Sequence, residues 1–195
     1  MYVYKSQEQP YVSLTYLNLN RDMRFLMTQL AYFTRAYFLA TYSGFGNAEN
    51  IAGTLYSLPY DFKEKAELIF GTPLSEEFMT LLSMHVSYIQ YLADALKTRN
   101  QAAADLGVQQ LYRNANAIAA QYAKMNPFWN ETYWRTLLNN YANLLIQDAV
   151  ELSAGEYQKD MDIFERMLVA ALLMGDYLTD GLHQYITATR REETI

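Results

Sequence analysis

The sequence predicts an all-α protein: an up-and-down helical bundle of about six helices with a ferritin-like or four-helix-bundle-like core. Three observations carry this. Apolar residues recur at the 3.6-residue helical period through nearly the whole chain. The interruptions fall at Gly, Pro and Asn, residues that cap or end helices. No segment joins β-branched alternation to turn signals well enough to make a core strand. Links between the long helices are short, so sequential helices run antiparallel and form three helical hairpins.

Residues 1–19 read as an extended N-terminal arm, because Tyr11-Val12-Ser13-Leu14-Thr15-Tyr16 comes nearest to strand alternation. The first helix is expected from about Asn20 to Thr41, with Leu26, Leu30, Phe33 and Tyr37 facing inward. Arg35 falls opposite that stripe and is read as solvent-exposed. Ser43-Gly44-Phe45-Gly46 ends the helix, and Asn47 caps the next one, with Glu49 favourable in its first turn. Pro59 should break the second helix, and Asp61 should restart it as far as Phe70-Gly71. Thr72-Pro73-Leu74-Ser75 opens the third helix, and Arg99-Asn100 links it to a fourth over Gln101 to Met125. Asn126-Pro127 ends the fourth, since the residue before proline is pushed out of the α region. Asn130 caps the fifth helix, Gly155 ends it, and the sixth carries Phe164, Met167, Ala171, Leu178 and Leu182. The bundle thus spans 20–188 of a single domain over 1–195, with a charged tail over 189–195.

Composition narrows the class. A chain of 195 residues that is 51% hydrophobic can bury one substantial core. It contains no Cys, which excludes a disulfide framework and a thiolate metal site. A net charge of −6 leaves no basic surplus to neutralise phosphates, so a nucleic-acid partner is not expected. The longest apolar run, Met167 to Gly175, falls far short of the ~20 residues a spanning helix needs, and no secretory signal is visible. The expectation is a soluble cytoplasmic protein without a membrane partner.

Sliding the chain by 56 residues aligns Thr80-Leu81-Leu82 with Thr136-Leu137-Leu138 and Leu55-Tyr56 with Leu111-Tyr112. Sliding by 55 places Phe25-Leu26-Met27 over Thr80-Leu81-Leu82. The first, third and fifth helices therefore read as equivalent arms of a repeated hairpin, or as a chance coincidence of common helix formers.

Two polar residues fall inside apolar stripes: His85 on the third helix, and Asp148 on the fifth, one turn and two turns from Leu144 and Tyr141. An unpaired buried carboxylate costs several kcal/mol, so Asp148 needs a donor, and His85 or a Tyr hydroxyl is expected to supply it. His85, Tyr141 and Asp148 form the candidate polar centre, and Asp176, at the edge of its stripe, could reach inward to join them. A core hydrogen-bond network, a pocket for a small ligand and acid–base chemistry all use such a set. Metal is not expected: two His on different faces supply too few ligands. Asp176, Asp180 and His183 copy half of a helical carboxylate–histidine motif, but lie on the polar face. Eighteen Tyr suit a semi-polar core or a protein-contact surface. The Asn126-Pro127-Phe128-Trp129 turn supplies aromatic plugs.

The order of these features resembles an uncharacterised family of small all-helical bacterial proteins. Its pattern has H-x-x-W-T-R, L-L-x-x-H, W-Y-x-N-A-x-x-I-A, N-P-x-W, a second L-L-x-x-H and M-x-D. This chain carries Phe33-Thr34-Arg35, Leu81-Leu82-Ser83-Met84-His85, Leu111-Tyr112-Arg113-Asn114-Ala115-Asn116-Ala117-Ile118-Ala119, Asn126-Pro127-Phe128-Trp129, Leu137-Leu138-Asn139-Asn140-Tyr141 and Met174-Gly175-Asp176. The match covers about residues 25 to 182. Where the pattern has three His, this chain has Leu30, His85 and Tyr141, so any three-histidine metal or proton-transfer site has lost two members here. The resemblance brings no activity with it.

The expected function is a non-enzymatic binding or protein-interaction bundle with a buried polar centre and no cofactor. Its partner would be a protein, a second copy in a homodimer, or a small ligand in the core. A small-molecule or metal-binding ferritin-like bundle is one alternative, and an enzyme using His/Asp acid–base chemistry is another.

Overall fold

The computed structural model describes residues 13–44 and 46–192, with side chains as far as Thr189. These form six α-helices and, among the described residues, no strand. They are α1 (Leu14–Ser43), α2 (Ala48–Phe70), α3 (Thr72–Lys97), α4 (Gln101–Met125), α5 (Glu131–Ala154) and α6 (Tyr157–Glu192). Side-chain caps start four of them: Ser13, Asn47, Asn100 and Asn130 accept from the amides of Tyr16, Asn50, Ala103 and Tyr133. Gly44 and Gly155 close α1 and α5 in the left-handed conformation.

Three expectations are corrected. Leu14 to Leu19 are helical, not extended, because the Ser13 cap starts α1 there; Tyr11 and Val12 lie outside the described residues. Pro59 does not break α2, which runs unbroken from Ala48 to Phe70. Leu55, Leu58, Pro59 and Phe62 are all buried, so packing of one continuous face outweighs the backbone hydrogen bond that Pro59 cannot make. The charged tail is helical as far as Glu192, and 193–195 lie outside the described residues.

Each helix packs on its neighbours in sequence, and α6 closes the ring against α1. The odd-numbered helices α1, α3 and α5 also touch one another, while α2, α4 and α6 each bridge two of them. The core draws on all six. Ala31, Phe38, Ile89, Ala93, Leu145 and Ala149 from the inner trio are without exposure, as are Leu55, Leu111 and Met167 from the bridging helices. Side-chain ties fix the antiparallel register of α1 and α6: Tyr16 to Asp180, Arg24 to Asp176, Arg35 to Asp160. One end of the bundle therefore holds the start of α1 and the α4–α5 turn. The other end holds the α5–α6 turn.

Candidate functional site

The charged centre of the molecule sits near the α5–α6 turn. Asp160, in the first turn of α6, is fully buried, and Arg35 of α1 grips it with two hydrogen bonds. Arg35 Nε donates to Oδ1 over 3.1 Å and Nη2 to Oδ2 over 2.6 Å. The guanidinium lies over the Phe164 ring, 4.8 Å from its centre. The α6 N-terminus also favours negative charge on Asp160. Arg35 is thus not the solvent-facing residue expected from the sequence: α6 covers that side of α1.

Asp148 of α5, also fully buried, lies within hydrogen-bonding reach of Asp160. Two carboxylates in one dry site do not both ionise. Burial first, and then Asp160, push the Asp148 carboxyl up to about 9 against the partial opposition of Arg35. Arg35 clamps Asp160. The two Asp148 oxygens find no hydrogen-bond donor among the described residues, and Asp148 is the acid pushed toward its neutral form, in which its O–H can donate to Asp160. The Tyr141 and Tyr42 hydroxyls beside Asp148 have no partner. Burial raises both phenols. The arrangement holds one proton between two acids, and no nucleophile lies within it. With both acids and Tyr141 buried, it is closed to solvent.

His85 does not meet Asp148. Its Nδ1 lies 2.9 Å from Asn114 Oδ1, and Asn114 Nδ2 donates to the Leu81 carbonyl over 2.9 Å. That second bond turns the amide oxygen toward the ring, so Nδ1 carries the proton and donates. Burial lowers the imidazole pKa, which keeps the ring neutral. Leu30, Leu58 and Pro59 border His85 at a cavity of about 20 Å³, space for about one water. Asp176 lies elsewhere again. It accepts from Arg24 Nε at 2.5 Å and Asn20 Nδ2 at 2.8 Å, and Arg24 holds its carboxyl below the usual range. Tyr16 donates to Asp180 over 2.6 Å and meets His183 edge-on, so the α6 motif ties α6 to α1. Of the four candidates, then, Tyr141 and Asp148 share one site, while His85 and Asp176 each have their own. Among the described residues, no three His, Asp or Glu side chains are grouped to hold a metal ion.

At the opposite end lies a half-open cavity of about 260 Å³. Leu26 of α1, Phe62 and Phe70 of α2, Phe78 of α3, Tyr122 of α4 and Trp129 of the α4–α5 turn wall it. Asp22 and Lys65 border it. The turn sets the wall. Asn126 accepts the Phe128 amide on its side chain and the Trp129 amide on its carbonyl, each at 3.0 Å. Trp129 is thereby held inward, and its Nε1 donates to the Tyr177 carbonyl over 3.2 Å. Gly181 makes room for the indole: a Cβ there would stand 1.9 Å from Nε1. Tyr122 stacks on Trp134 at 4.2 Å and meets Trp129 edge-on at 5.2 Å. Its hydroxyl has no hydrogen-bond partner among the described residues, yet it is not one of the fully enclosed polar atoms.

Sequence reasoning missed Asp160, Arg35, Asn114 and the pocket. The helical-wheel test that exposes Asp148 also exposes Asp160, which lies about 20° from Ala171, in mid-stripe on α6. Asn114 stands in the Leu111–Ala119 motif, and its partnership needs the α3–α4 register to be seen. Compared with known proteins, the chain matches no family model, no curated protein and no solved structure.

Proposed function

We propose that this chain is a non-enzymatic, cytoplasmic binding protein whose ligand is a small, largely apolar molecule held in the cavity beside Trp129. The observation that carries this is the cavity itself: about 260 Å³, half-open and walled by aromatic and aliphatic side chains from five helices and a turn. A dry apolar cavity of ~150 Å³ already suffices for benzene, so this one has room for a bicyclic molecule. The polar centre supports the same reading, because Arg35 already occupies Asp160 and both acids are buried. Indane, an uncharged bicyclic probe, should quench Trp129 emission saturably and raise the melting temperature as its concentration passes Kd. Indane that leaves both unchanged up to its solubility limit overturns the reading.

A second reading, a homodimer, is favoured by α6, where Val169 and Leu173 are exposed on the face beside α5. The Asn126–Trp129 turn suits this role less, since Trp129 is buried. Light scattering that gives twice 22.6 kDa would support the dimer.

We also infer that the bundle is three copies of one hairpin. At a spacing of 56, Leu55, Leu111 and Met167 are buried in the bridging helices, as are Phe62, Ile118 and Met174. In the inner helices Thr34, Ile89 and Leu145 are buried together, as are Phe38, Ala93 and Ala149. The same register matches Asn114 with Leu58 and Ala170, and His85 with Leu30 and Tyr141. His85 has its amide partner, whereas Ala170 stands where an amide would be needed for Tyr141, whose hydroxyl goes unpaired among the described residues.

A further inference from the structure

The cavity is not uniformly apolar, and the exception defines its ligand. Tyr122 is 2% exposed and lines the cavity. Its ring is fixed on three sides by Phe78, Trp129 and Trp134. Its hydroxyl has no partner among the described residues, and it is absent from the set of polar atoms sealed from solvent. A deeply buried hydroxyl that is not wholly enclosed, on a residue lining a cavity, is a hydrogen-bonding group presented to that cavity. The other polar group in the wall is spoken for, since Trp129 Nε1 donates to the Tyr177 carbonyl.

We propose that the ligand is an uncharged, mostly apolar molecule of roughly ten heavy atoms that carries one hydrogen-bond acceptor, such as a carbonyl oxygen, and that Tyr122 donates to it. This rests on the reading of the cavity as a ligand site. Burial raises the Tyr122 phenol well above its ordinary value, which keeps the proton on the oxygen and makes it a donor throughout the neutral range. A carboxylate ligand fits poorly, because Lys65, the one cation lining the cavity, stands exposed at its border, and the aromatic and aliphatic walls offer a buried charge no cation. A cation would have to leave water for an aromatic box with no buried carboxylate. A neutral acceptor satisfies the hydroxyl without either cost.

The test compares 1-indanone with indane, which share a shape and differ in a carbonyl oxygen, by Trp fluorescence titration and calorimetry. The wild-type chain should bind 1-indanone about five- to tenfold more tightly, the worth of one neutral hydrogen bond. Tyr122→Phe, which keeps the stacked ring, should bind the two equally. As a measurement that needs no variant, the carbonyl stretch of bound 1-indanone should move to lower frequency than in an apolar solvent. Equal binding of both probes by the wild-type chain, or an unshifted carbonyl band, overturns this inference and leaves the cavity a plain apolar site. Failure of both probes to bind overturns the ligand reading and this inference with it.

Discussion

Asp148 and Asp160 adjoin across the α5–α6 turn, with Arg35 clamped on Asp160 and the Asp148 carboxyl pushed up toward its neutral form. The pair makes stability depend on pH in a definite direction. An unfolded Asp gives up its proton near pH 4, whereas the folded Asp148 keeps it to about 9. Between those values the native chain binds the extra proton, so stability falls as pH rises and levels off above about 9. Asp148→Asn retains a donor toward Asp160 and removes the titration. It should be more stable than wild type at pH 7, on the order of 2–4 kcal/mol, with the pH slope flattened. Urea melts at pH 5, 7 and 9 check this; a variant weaker than wild type at pH 7 would refute the shared proton.

His85 and Asn114 are a separate unit, and a double-mutant cycle should say so. His85→Leu leaves the Asn114 oxygen unpaired, and Asn114→Leu strands the imidazole, so each should cost about 1–3 kcal/mol. The double variant should cost less than their sum. His85→Leu combined with Asp148→Asn should be additive within about 0.5 kcal/mol, because the two sites share no partner. Coupling between His85 and Asp148 in thermal melts would mean that they communicate after all.

How far the sequence could be read depends on what kind of residue sits at the buried positions. Six helices and the caps or stops at Gly44, Asn47, Gly71, Asn126, Asn130 and Gly155 were legible, because Asn and Gly mark them through local geometry, whereas the Ser13 cap was not and Pro59 read as a break. The face of α1 was not. Leu26, Leu30, Phe33 and Tyr37 suggest one stripe, but the buried set includes Ala31, Thr34, Phe38 and Thr41, about 90° further round. Small and polar residues mark the closest packing of α1, and a pattern read from bulky apolar side chains looks past them. That rotation brings Arg35 to the edge of the buried face, within reach of Asp160. The burial of Asp148 was legible from its spacing, whereas its partner depends on which helices adjoin. The cavity had no sequence signal, since it is space left between helices.

Pro59 tests the repeated hairpin. The matching positions in the other bridging helices are Ala115 and Ala171, both buried in unbroken helix. Pro59→Ala should restore the missing backbone bond, worth up to ~3 kcal/mol in a helix interior, and lose part of a buried ring. The expected balance is a gain of about 1 kcal/mol in a denaturant melt. A loss instead would mean that α2 needs the proline ring where its counterparts manage with a methyl group.

The same chemical change should have opposite signs at two glycines, and one of them reports on the cavity. Gly53 lies in the interior of α2 with nothing within 4 Å of where a Cβ would stand. Gly53→Ala therefore only reduces the freedom of the unfolded chain, and should stabilise by about 0.5–1 kcal/mol. At Gly181 the added Cβ would stand 1.9 Å from Trp129 Nε1 and 2.2 Å from Cδ1. The indole must then leave its seat and give up its hydrogen bond to the Tyr177 carbonyl. Gly181→Ala should cost about 2–4 kcal/mol, within the range of overpacking plus a lost buried hydrogen bond. Because Trp129 walls the cavity, its emission should shift to the red and indane binding should weaken together. A destabilised Gly181→Ala protein that still binds indane at the wild-type Kd would separate Trp129 from the site, and the proposed ligand would have to sit elsewhere.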